Sequence, residues 1–260
     1  MSKVDATLNA LVMAEWLTCL KASATVQTVA SLDGGDLFLL RGDDDTFTVF
    51  GSLRDTRIDG GDGFDTLSFG SVGFGAPLFR ENLLDLGRPS RSSGSFEGSQ
   101  ITGIESFAFA PASDTTDLEF RGAGAGERVV FGNSFLAGAG ARLALGGGDD
   151  EGVGGLGDDT ILGGGGRDVL DGRGGDDRLD GGKGADRFRF QQGFGEDTIA
   201  GFRPDSDRLD FSLHFGVVGM GDLSMSRRGS DTLIEVGLGD SILLLDVAPR
   251  EIDRGDLIFA

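Results

Sequence analysis

Between Gly154 and Phe188 the chain repeats itself every nine residues. Written in nines, it reads GGLGDDTIL, GGGGRDVLD, GRGGDDRLD and GGKGADRFR. Gly returns at the first, second or fourth place. Asp returns at the sixth (Asp159, Asp168, Asp177, Asp186) and an apolar residue at the eighth (Ile161, Leu170, Leu179, Phe188). A degenerate unit, Leu145 to Val153, precedes them with Asp150 in register. A short fixed period of this kind dictates stacked, near-identical units rather than a mixed globular core. Glycine supplies the backbone angles of a tight turn, which a Cβ disfavours. The D-x-apolar step suits a short strand whose eighth place points inward while its neighbours point out. A flexible Gly/Asp linker has the same composition, but it has no reason to hold Asp and the apolar residue in one frame.

These nines closely resemble the RTX (haemolysin-type calcium-binding) repeat family. The resemblance implies an all-β chain with a parallel β-roll in which two nines make one coil, and Ca²⁺ as its cofactor. Residues 18 apart then stack: Asp150 on Asp168, Asp168 on Asp186, and Asp159 on Asp177. Neighbouring strands lie roughly 4.8 Å apart, and calcium–oxygen bonds are about 2.3–2.6 Å, so one ion between two stacked carboxylates spans the coil spacing. The implied side-chain ligands are Asp150, Asp159, Asp168, Asp177 and Asp186. The implied backbone carbonyls are those of Gly146, Gly148, Gly155, Gly157, Gly163, Gly164, Gly165, Gly166, Gly172, Gly174, Gly181 and Lys183. Without the ion, two carboxylates about 5 Å apart repel by roughly 1–3 kcal/mol.

Composition narrows the rest. Glycine makes up 47 of 260 residues, against a usual share of about 7%, so helices cannot dominate. A formal charge of −20 argues against nucleic acid and anionic membrane surfaces as partners. Cys19 is the single cysteine, so no intrachain disulfide holds the fold. No apolar run approaches the roughly 20 residues that span a bilayer.

In chain order, residues 1–30 are expected to form an amphipathic helical cap, on Val4, Leu8, Leu11, Val12, Trp16 and Leu20 at helical spacing. Ala22-Ser23-Ala24 offers a rival signal-peptide reading, opposed by Asp5, Glu15 and Lys21. Residues 31–68 form a first, irregular calcium-repeat roll with Asp36, Asp45, Asp55 and Asp65 as second-tier ligands. Residues 69–144 are expected to be metal-free β-helical coils, with an excursion loop over Arg88 to Ser99. Residues 145–190 are the calcium-binding β-roll. Residues 191–260 form a C-terminal β portion, with a hairpin about Gly237-Leu238-Gly239-Asp240. FGEDTIAGFRPDSDRLDF looks like the C-terminal region of serralysin-type peptidases and other type I secreted proteins. Asp256, Leu257, Ile258 and Phe259 are similar to the uncleaved export signal of that class, with one Ala after the usual ending. That likeness implies type I secretion machinery as a partner and an extracellular location.

Catalytic signatures are missing. HExxH and GxSxG are absent, and His214 is the single histidine, more suited to packing than to acting as a base. Two functions are expected. The favoured one is a secreted, non-enzymatic calcium-binding protein associated with a cell surface, matrix or polysaccharide. The alternative is a polysaccharide-acting or other extracellular enzyme with a groove on residues 69–144, where carboxylates and basic residues from Arg80, Glu81, Arg88, Arg91, Glu97 and Glu105 would converge.

Overall fold

The computed structural model describes residues 140–260 continuously. Before them it describes 20–22, 27–29, 32–33, 37–40, 44–50, 53–54, 57–60, 62, 64–70, 82–85, 100–102, 104, 106–109, 118–122, 124 and 126–131. Parallel strands stacked coil on coil dominate them. One face is a ten-stranded sheet, parallel throughout: Gln27–Val29, Thr46–Phe50, Thr66–Gly70, Ser106–Phe109, Arg128–Phe131, Glu151–Val153, Val169–Asp171, Arg187–Gln191, Arg208–Leu213 and Leu257–Ile258. The opposite face stacks Asn82–Asp85, Leu118–Arg121, Ala141–Gly147, Thr160–Gly166, Arg178–Gly184, Glu196–Ala200 and Asp240–Leu244 in parallel. Two antiparallel strands, Asp231–Gly237 and Ser224–Arg228, then complete that sheet.

Toward the N-terminus Leu20–Ala22, Leu37–Leu40, Arg57–Asp59 and Gln100–Thr102 form a further parallel sheet. The strands Leu32–Asp33 and Leu53–Arg54 also pair there. The coils are longer in this part, with Phe47 pairing Leu67, 20 residues on.

The eighth-place residues become two inward columns. On the first face Phe47, Leu67, Phe107, Val129, Gly152, Leu170, Phe188, Leu209 and Leu257 are in register. On the second, Phe120, Leu143, Ile161, Leu179, Ile199 and Leu244 are in register. Apart from Gly152, every one of these is an apolar residue in the buried core. Gly152 stands where a side chain would meet those of Ile161 and Leu145, and Leu145 fills the space instead. Aromatics close the C-terminal end: Phe190 stacks on Phe211 with centroids 5.3 Å apart and tilts against Phe194 at 4.8 Å.

The N-terminal cap needs correction. Leu20–Ala22 is a strand, Leu20 pairing with Phe38, and Gln27–Val29 is a strand pairing with Phe47–Val49. The open edges of Leu37–Leu40 and Thr46–Phe50 capture these residues, and the β-branched Thr28 and Val29 favour the extended state. The helical spacing over residues 1–19 lies outside the described residues, as do the excursion loop and the candidate groove residues. The hairpin is where the sequence places it. Asp231–Gly237 and Asp240–Leu244 pair antiparallel across Leu238 and Gly239, both at positive φ (57° and 97°), the torsions a two-residue hairpin turn demands.

Candidate metal centre

Each sixth-place Asp sits one residue before a strand, where its side chain turns under the coil. Its Oδ1 accepts a backbone N–H from one coil earlier, that of Ala141 for Asp159, that of Glu127 for Asp150 and that of the preceding Asp for the others. Asp150 N–H donates to Asp168 Oδ1 (2.9 Å), Asp168 N–H to Asp186 Oδ1 (3.1 Å) and Asp159 N–H to Asp177 Oδ1 (2.7 Å), each pair 18 residues apart. The structure thus brings Asp150, Asp168 and Asp186 into one column and Asp159 and Asp177 into another. All five are at most 3% exposed.

The arrangement differs from bare carboxylates facing each other across the coil gap. Oδ1 of each already accepts one backbone N–H and keeps a second lone pair for a cation, with Oδ2 beside it. Asp150, Asp168 and Asp177 bury that Oδ2 without a hydrogen-bond partner. In Asp159 it accepts the Gly155 N–H at 2.6 Å. The glycine five residues before each Asp makes the pocket. A Cβ on Gly154, Gly163, Gly172 or Gly181 would collide with Oδ2 of Asp159, Asp168, Asp177 or Asp186 respectively.

Burial sets the electrostatics. It pushes the Asp150 and Asp177 carboxyls up to about 7 and those of Asp159 and Asp168 up to about 6, with neighbouring acids adding to the rise. Asp186 moves in the same direction, again through burial first. A buried anion without a partner is costly, so the pocket takes either a proton or a cation. Among the described residues no three His, Cys, Asp or Glu side chains gather as a metal site. A cation here therefore draws most of its ligands from turn carbonyls, which suits a hard ion of high, flexible oxygen coordination such as Ca²⁺ and does not suit zinc. The donor chemistry and the orphaned oxygens fit calcium.

The ladder is longer than the glycine frame. Asp177 N–H donates to Asp197 Oδ1 and Asp186 N–H to Asp207 Oδ1, across 20 and 21 residues. Burial drives Asp197 up to about 8. In the other direction Glu127 N–H donates to Asp150 Oδ1 at 2.6 Å. These three acids escape a search for nines, although Asp197-Thr198-Ile199 and Asp207-Arg208-Leu209 repeat the D-x-apolar step. Of the second-tier residues, Asp45 and Asp65 are buried and stacked, Asp45 N–H donating to Asp65 Oδ1. Asp36 and Asp55 lie outside the described residues.

His214 is buried at the far end. Its Nδ1 accepts the Gly216 N–H, and its Nε2 lies 3.8 Å from Asp240. Asp240 itself accepts the Gly193 and Gly195 N–H groups.

Comparison with known proteins singles out the same stretch. Residues 153–188 match the model of the RTX calcium-binding nonapeptide repeat, in four copies. No curated protein matches the chain. Among solved structures, the AlgE6R3 subunit of the Azotobacter vinelandii mannuronan C5-epimerase is 28% identical, over 55% of this chain and 78% of that one, with a TM-score of 0.34. The extracellular lipase LipA of Serratia marcescens is 17% identical, over 96% of this chain and 41% of its own, with a TM-score of 0.31. The segment match agrees with the stacked buried aspartates and their glycine pockets, and residues 153–188 are an array of RTX calcium-binding nonapeptide repeats.

Proposed function

We propose that the chain is a secreted, non-catalytic calcium-binding protein whose coils over residues 145–260 fold when calcium is supplied outside the cell. The observation that carries this reading is the buried, unpartnered Oδ2 of Asp150, Asp168 and Asp177. In this reading three ions are held, one each between Asp150 and Asp168, Asp168 and Asp186, and Asp159 and Asp177, with the turn carbonyls completing each shell. Bound calcium supplies charge neutralisation and cross-links successive coils. The protein's part is to hold one carboxylate oxygen on the backbone ladder and to present the other.

Extracellular calcium modules bind with dissociation constants around 10⁻⁴–10⁻³ M, far above cytosolic calcium. The array is then empty inside the cell, and the chain passes unfolded through a type I channel, with Asp256, Leu257, Ile258 and Phe259 as the address. RTX repeat proteins are typically extracellular, which supports this location, and among the described residues no helix is long and apolar enough to cross a membrane. At ten times Kd each site adds about 1.4 kcal/mol, so three independent sites add roughly 4 kcal/mol, comparable to the whole stability of a marginal domain. The packed, hydrogen-bonded place of His214 supports a structural part for that residue. The proposed partners outside the cell are a surface or an extracellular polysaccharide.

Circular dichroism of the purified chain tests the reading. It should be largely disordered in chelator and become β-rich on adding calcium, with magnesium much less effective. A chain whose residues 145–260 stay fully folded in excess chelator ends the folding trigger.

A further inference from the structure

We infer that the Arg203 guanidinium is a built-in cation, seated at the end of the acid ladder in the position that calcium takes between the earlier coils. Arg203 Nη2 donates to the Gly184 carbonyl and to Asp207 Oδ1 (3.1 Å), and lies 3.3 Å from Asp186 Oδ2. The two carboxylates it bridges are 0% and 1% exposed. Stepping back one coil along the strand register turns this triad into the Gly166 carbonyl, Asp168 Oδ2 and Asp186 Oδ1. Another step gives the Gly148 carbonyl, Asp150 Oδ2 and Asp168 Oδ1. In both earlier positions Oδ2 is buried without a partner, whereas at Asp186 the guanidinium supplies one. The same donor set therefore recurs three times, and only its last copy holds a positive charge of the protein's own.

The sequence changes where that charge enters. The coil from Asp186 to Asp207 is 21 residues long, against 18 from Asp168 to Asp186. The glycine turn gives way to Phe202-Arg203-Pro204-Asp205-Ser206. That segment is fastened at both ends. Arg203 N–H donates to Asp207 Oδ2 (2.8 Å), Ser206 Oγ donates to the Gly184 carbonyl (3.0 Å), and Asp205 N–H donates to Asp256 Oδ1 (2.7 Å). Asp205 adopts a positive φ of 69° to make the turn. A guanidinium stays charged at every physiological pH and its donors form a rigid fork, so neither chelator nor low calcium removes it. The ladder's last coil thus closes without an ion, next to coils that need one.

This inference rests on calcium occupying the earlier coils, and the test separates the two. Ions bound per chain are counted by native mass spectrometry in saturating Ca²⁺ for the full parent, Arg203→Met and Asp207→Asn. Arg203→Met keeps the aliphatic stem and removes the fork. It should bind one ion more than the parent. Asp207→Asn should bind the same number as the parent, because its carboxylate serves Arg203 rather than an ion. An unchanged count in a folded Arg203→Met, or one ion fewer in Asp207→Asn, overturns the inference while leaving calcium binding by the array intact. If Arg203→Met does not fold in calcium, the Asp207→Asn count decides alone. A parent that binds no calcium overturns both readings.

Discussion

Each ladder aspartate divides its two oxygens between structure and charge. Oδ1 pins the preceding coil through a backbone N–H, as in Asp159 to Asp177, and in Asp150, Asp168 and Asp177 Oδ2 is the charge that burial leaves unanswered. Desolvation raises the carboxyls of Asp150, Asp159, Asp168, Asp177 and Asp197 to about 6–8, against roughly 3.9 for a free Asp. The ion-free roll therefore binds these protons more tightly than the unfolded chain does. Protonation stabilises it fully below about pH 4, and that stability is lost as pH rises through about 6–8. The calcium-free protein should accordingly be disordered at pH 8 and gain β-structure on acidification toward pH 5, read by circular dichroism. Protons and calcium compete for the same oxygens, so apparent calcium affinity by calorimetry should weaken over the same descent. A calcium-free chain that is most ordered at pH 8 would contradict the assigned burial of these carboxylates.

At the scale of the element, the nine-residue unit works because its turns have no side chain where coils touch. Gly164 has φ of +105°, and a Cβ there would strike the Gly146 carbonyl oxygen one coil back, whereas a Cβ on Gly165 would meet nothing. Gly164→Ala should lower the stability of the calcium-loaded protein by about 1–3 kcal/mol. Gly165→Ala should stay within about 0.5 kcal/mol. Equal losses in denaturant melts at saturating calcium would show that coil contact does not set the glycine pattern. The same element shows how far the sequence was legible. In Gly154 to Phe188, Gly, Asp and the apolar residue share one phase, and that phase predicts strand, turn and inward column together. Asp197 and Asp207 sit on the same ladder but in coils of 20 and 21 residues, so the D-x-apolar step survived where the period did not. Glu127 replaces Asp by a longer acid, 23 residues before Asp150, and nothing local marks it. Over Leu20–Ala22 helical spacing competed with an open strand edge, and long-range pairing to Phe38–Leu40 prevailed.

For the whole molecule, the end of the chain is part of the fold as well as the proposed export address. Leu257–Ile258 adds the last parallel strand beside Leu209 and Asp210, and Leu257 continues the inward column at 2% exposure. Asp256 accepts the Asp205 N–H, and Arg254 lies 4.6 Å over the Phe259 ring. Of this proposed address, the closed roll buries Asp256 and Leu257 and half-buries Ile258 and Phe259. Its structural part can be measured separately from export. Leu257→Ala removes a buried side chain and should cost about 2–4 kcal/mol. Folding is linked to calcium, so the loss must be made up by a higher ion concentration. Shared over three sites, 2–4 kcal/mol is about 0.7–1.3 kcal/mol per ion, so the calcium midpoint for gaining β-structure should rise about three- to tenfold. The exposed Leu238→Ala, at the hairpin tip with 89% exposure, should leave that midpoint in place. An unmoved midpoint in Leu257→Ala would mean that the last strand does not share in calcium-driven closure, and that folding of the array stops short of the chain's end.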